Sequence, residues 1–150
     1  LVFCPDDSMS REEFITMVMK TLDIQTLTDT DTSFADNYKI NIEYRPYVAT
    51  AQRMGYVNGS EQDGLICFNP QDSITKAEAA VVINNILGLE EGSAVSVFAD
   101  DSAIPVWARS AIYALTGAGV FNGDGAGVIA PSAILSRAQT VQMLYNLTEK

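Results

Sequence analysis

The chain repeats itself at long range, and this confines it to architectures built from copies of one small unit. Phe34-Ala35-Asp36 returns 64 residues later as Phe98-Ala99-Asp100, and at the same offset Gly55-Tyr56-Val57-Asn58-Gly59 returns as Gly119-Val120-Phe121-Asn122-Gly123. The second half of the unit occurs three times. Phe3-Cys4-Pro5, Phe68-Asn69-Pro70 and Ile129-Ala130-Pro131 lead respectively into Met9-Ser10-Arg11-Glu12-Glu13, Ile74-Thr75-Lys76-Ala77-Glu78 and Leu135-Ser136-Arg137-Ala138-Gln139. Residues 1–27 thus read as a partial repeat, second half only, and 34–89 and 98–150 as complete repeats, within one domain of 1–150. A period near 60 residues is longer than the common helical-repeat classes. One surface is presented several times.

Each recurring signature reads as a helix start. Ser10-x-x-Glu13, Thr75-x-x-Glu78 and Ser136-x-x-Gln139 are capping boxes, in which the hydroxyl accepts from the third helical amide and the acid or amide side chain reaches back to the cap. Apolar residues follow at helical spacing: Phe14, Met17, Val18 and Leu22; Val82, Ile83, Ile86 and Leu87; Val141, Met143, Leu144 and Leu147. Gly88 suits a stop for the second helix. A further helix of each complete repeat lies near Pro46–Met54 and Val106–Ala118, with Pro105 at a first turn. Gly55, Gly59, Gly119 and Gly123 mark a helix exit and loop, where glycine is free to take positive φ. The expected fold is all-α, made of helix–loop–helix repeats.

Composition narrows the function. The net charge of −10 opposes nucleic acid and anionic membrane surfaces as partners. No run of 18 apolar residues offers a membrane span. The absence of histidine removes the commonest general base and metal ligand, so no metal or cofactor is expected. Asn122–Gly127 resembles a calcium loop faintly, but Ala133 stands where the closing Glu belongs. Cys4 and Cys67 flank equivalent Phe residues; a bridge and two buried thiols both fit. Leu1 in place of an initiator Met suggests a fragment or processed product.

Three of the nine Lys and Arg residues, Arg11, Lys76 and Arg137, occupy one repeat position, the first residue after the cap. Capping explains Ser/Thr and Glu/Gln but not a cation there, where the helix dipole opposes it. Free amides, the positive dipole end and a cation together suit a carboxylate. Trp107 reads either as a core residue or as a sugar-stacking ring, and Asp36 and Asp100 either as turn caps or as contacts to sugar hydroxyls.

The pattern Phe98-x-Asp100, Trp107-Ala108, Ala111-Ile112, Leu115, Gly119, Gly123, Pro131, Ser136-Arg137-Ala138 resembles the S-layer homology repeat, and Ile74-Thr75-Lys76-Ala77-Glu78 is close to that family's signature helix start. The resemblance implies a pseudo-threefold spindle, with one helix per repeat in a central hub and the signature helices as outer prongs. It implies an extracellular module on the bacterial cell wall. Grooves between prongs would hold a secondary wall polysaccharide attached to peptidoglycan, often pyruvylated, with Arg11, Lys76, Arg137, Trp107, Asp36 and Asp100 as contacts. This sequence departs from the pattern at Glu43 (opposite Trp107), Lys76, Gln139 and Ile129.

Two rival classes stand beside this reading. A protein–protein module would use the repeat as scaffold. A carbohydrate-active enzyme would need two opposed carboxylates, yet Glu13 and Glu78 read as capping groups and no His is present to serve a nucleophile. Last, a threefold hub needs three helices and the chain offers two. Val48, Ala51, Ile112 and Leu115 are therefore expected to face water, an apolar patch that would drive self-association.

Overall fold

The computed structural model describes residues 4–90 and 98–149. Phe3 of the first landmark and residues 91–95 of the expected inter-repeat loop lie outside these. Five helices dominate: α1 (Arg11–Thr21), α2 (Arg45–Arg53), α3 (Lys76–Leu87), α4 (Val106–Gly117) and α5 (Arg137–Thr148). Short 3-10 turns at Asn37–Lys39 and Asp101–Ala103 follow the two Phe-Ala-Asp landmarks. Among the described residues the fold is all-α apart from one small hairpin.

All three capping boxes form. The amides of Glu13, Glu78 and Gln139 donate to Ser10, Thr75 and Ser136 at 3.3, 3.2 and 3.1 Å, and each third-position side chain accepts from its cap amide. Met9 and Phe14 are both fully buried, as a hydrophobic staple requires. Gly88 closes α3 in the left-handed conformation at φ 64°.

The hairpin pairs β1 (Ser60–Gln62) with β2 (Leu65–Cys67), antiparallel, with Glu61 opposite Ile66. The sequence reading expected only a loop here. Asp63 and Gly64 both take positive φ, 52° and 80°, which fits a two-residue I′ turn matching the right-handed strand twist. Gly59 enters this hairpin at φ 69°, and a Cβ there would lie 2.7 Å from the Cys67 carbonyl oxygen. Only glycine fits.

The described chain packs as two compact units, Met9–Ser73 and Leu1–Ser8 with Ile74–Lys150. The divisions fall at the helix starts, so the packing unit is not the sequence repeat. In the first unit α1 packs on α2; in the second α3 packs on α4. A signature helix thus belongs with the hub helix of the repeat that follows it.

This exchange corrects the expectation of an open hub. Val48, Ala51, Ile112 and Leu115 are all 0% exposed within the chain itself. Their partners are the signature helices, α1 for α2 and α3 for α4, so the apolar patch proposed for self-association does not exist at those residues. Cys4 and Cys67 are half-buried and form no disulfide.

Candidate functional site

The helix starts obey one hydrogen-bond rule. Arg11 and Glu12 amides donate to the Asp72 and Pro70 carbonyls, Lys76 and Ala77 to Ala133 and Pro131, Arg137 and Ala138 to Asp7 and Pro5, all at 2.9–3.1 Å. With the third amide held by the cap hydroxyl, the first three amides of every signature helix are spent inside the protein. The expectation that free helix amides bind an anion therefore fails. What remains at each site is the dipole and the cationic side chain.

The three cations differ in their surroundings. Arg11 is half-buried; its guanidinium lies over the Phe68 ring, 5.4 Å from the centroid, and Nε donates to the Phe68 carbonyl at 2.9 Å. Arg137 is half-buried on the first turn of α5. Lys76 is half-buried at the start of α3, and its ammonium makes no hydrogen bond among the described residues. Burial pushes its pKa down, partly offset by the negative charges of Asp100 and Asp124.

Lys76 lines a cavity of ≈ 190 Å³. The opposite wall comes from the next repeat: Val120, Phe121 and Asn122 of its exit loop, and Gln139, Gln142, Met143 and Asn146 on one face of α5. A groove between repeats is thus built within one compact unit. An amino group, four amide side chains and an apolar floor can bind a carboxylate and hydroxyls together. Nothing in the lining pairs a nucleophile with a base.

Asp36 and Asp100 are placed alike. The Asp36 carboxylate accepts from the amides of Phe68 and Asn69 at 2.8 and 2.7 Å, and Asp100 from Ile129 and Ala130 at 3.0 and 2.8 Å. The Ile129 amide above all holds the Asp100 carboxyl below its usual range, against burial, with the Ala130 amide and the charge of Lys76 adding. Each Asp clamps a loop whose middle residue, Asn69 or Ala130, takes positive φ, 56° and 50°, just before a proline. Trp107 is 62% exposed on the first turn of α4, so its core reading is overturned; it does not line the cavity.

Asn122, Gln142 and Asn146 escaped the sequence reading as site residues, and Gln139 entered it only as a cap. Gln139, Gln142 and Asn146 recur at helical spacing, and that polar stripe on α5 was the available signal.

The family model for the S-layer homology domain matches residues 33–80 and 97–141. An amylopullulanase of Thermoanaerobacterium thermosulfurigenes is 28% identical over 97% of the chain, which covers 8% of that protein. A cellulosome-anchoring protein of Acetivibrio thermocellus is 35% identical over 55% of the chain, covering 19% of it, and an S-layer protein of Bacillus licheniformis is 38% identical over 55%, covering 10%. The chain spans less than a fifth of each relative.

Proposed function

This chain belongs to the S-layer homology domain family, and from that premise we propose that it is a non-catalytic module anchoring its protein at the extracellular cell surface. It does so by holding an acidic wall polysaccharide in the groove between repeats. The relatives named for anchoring and for S-layers support surface attachment, and the enzyme-named relative matches over only a small share of its length.

The observation that carries the finer reading is Lys76. The Lys76 side chain is half-buried beside a cavity lined by amides, where its ammonium is partly desolvated. A carboxylate, such as a pyruvate ketal on a sugar, offers it an acceptor in a charge-assisted bond. Asn122, Gln139, Gln142 and Asn146 then serve the sugar hydroxyls. Arg137 and Trp107 are proposed as further polymer contacts; Arg11, Asp36 and Asp100 hold loops first.

The test is co-sedimentation of the chain with wall sacculi, before and after chemical removal of the acidic polymer. Binding that persists after removal overturns the polysaccharide reading.

A further inference from the structure

The second residue of α1 is Glu12, and the second residue of α3 is Ala77; both are buried, at 6% and 3% exposed. Their backbones do the same work. The Glu12 amide donates to the Pro70 carbonyl at 3.1 Å, and the Ala77 amide to the equivalent Pro131 carbonyl at 2.9 Å. Neither capping nor helix start therefore asks for an acid in one place and an alanine in the other.

A carboxylate taken out of water needs a hydrogen-bond partner. The Glu12 carboxylate accepts from the Asn41 amide at 2.9 Å. Asn41 lies just ahead of α2, on which α1 packs. At the repeat offset of 64, the residue just ahead of α4 is Pro105, which has no N–H to give. The two places share one backbone. The 3-10 turns before them close on Ile40 at φ −70°, ψ 126° and on Ile104 at φ −72°, ψ 120°, and both isoleucines are buried. The helix that carries the acid thus docks on the hub helix that offers an amide. The helix that carries alanine docks on the hub helix that offers proline.

We propose that Glu12 with Asn41, and Ala77 with Pro105, are matched pairs that assign each signature helix to its own hub helix. The two wrong dockings are opposed unequally. α1 on α4 would bury the Glu12 carboxylate against a residue that cannot donate. α3 on α2 would leave the Asn41 amide without its acceptor, and Asn41 is exposed enough for water to serve it. Discrimination rests on the acid. It has a consequence one residue back, where each helix carries its cation. Docking lays Arg11 over Phe68 and sets Lys76 in the wall of its cavity. Glu12 and Ala77 are in that sense positioning residues for the groove, but the pairing itself does not rest on the polymer reading.

The test moves the pair. Ala77→Glu puts a carboxylate where Pro105 has no amide, and should lower the denaturant midpoint. Adding Pro105→Asn supplies the amide and should recover most of that loss, whereas Pro105→Asn alone should bring no gain. The double-mutant cycle reads this coupling directly. A second measurement holds even if Ala77→Glu does not fold: Glu12→Ala should speed hydrogen exchange at the Asn41 amide by at least about tenfold, as loss of a charge-assisted bond requires. Three results would overturn the proposal: no recovery in the double variant, the same gain from Pro105→Asn with and without the introduced acid, or unchanged exchange at Asn41 in Glu12→Ala. All readings are taken without polymer, so a failed sacculus assay overturns the polymer reading alone.

Discussion

Two residues carry most of the testable chemistry, Lys76 and Ala130. Burial depresses the Lys76 pKa, so between that depressed value and the ordinary lysine value the unfolded chain binds the extra proton and stability rises with pH. Lys76→Gln should therefore abolish retention on sacculi without lowering the melting temperature. Wild-type binding should be present at neutral pH and be lost, as pH rises, earlier than an ordinary lysine would predict. Retention by the glutamine variant would sink the assigned role. Ala130 poses the opposite problem. A left-handed alanine costs about 1–2 kcal/mol, and the Asp100 carboxylate holds it there against the preference imposed by the following proline. Asn69 fills the equivalent place in the other complete repeat, and Asn tolerates this conformation. Ala130→Asn should raise stability by about 0.5–1 kcal/mol in denaturant titration; a loss would mean the loop is not strained.

At the scale of elements, the helix starts were legible because the capping box is a local pattern with a local cause. Positions 10, 75 and 136 fixed the caps of α1, α3 and α5 before any packing was known. Who accepts the first two amides was not legible, because Asp72, Ala133 and Asp7 lie in loops and carry no signature of that duty. The hairpin was missed for another reason: three-residue strands show no period, and only Asp63-Gly64 announced the turn. The spacing puts Val141 in one apolar stripe with Met143, Leu144 and Leu147, yet Val141 is exposed; periodicity cannot tell a face that is buried from one that is not. The cap itself can be tested. Since loop carbonyls hold the amides of Lys76 and Ala77, the Thr75 hydroxyl is the acceptor for the Glu78 amide. Thr75→Ala should cost on the order of 1 kcal/mol, and Thr75→Ser much less. A zero change in denaturant midpoint would show that water replaces the hydroxyl at no cost.

At the scale of the whole molecule, the repeat announced the family, while the exchange of signature helices between repeats moved the bare surface from the hub residues to α5. Charge acts at this scale too. On the proposed reading, a chain of net charge −10 holds an acidic polymer against its own long-range field. The attraction is confined to the groove, where Lys76 is half-buried and screened little by salt, whereas the repulsion acts through solvent. Raising ionic strength from about 0.01 to 0.15 M shortens the Debye length from roughly 30 to 8 Å and removes most of that repulsion. The association rate for soluble polymer fragments should therefore rise over this range. A basic polyanion-binding protein shows the reverse, because steering is what salt removes. Stopped-flow or surface-based kinetics at several salt concentrations measure it directly. An association rate that falls with salt would place the polymer on an exposed cationic patch rather than in the groove around Lys76.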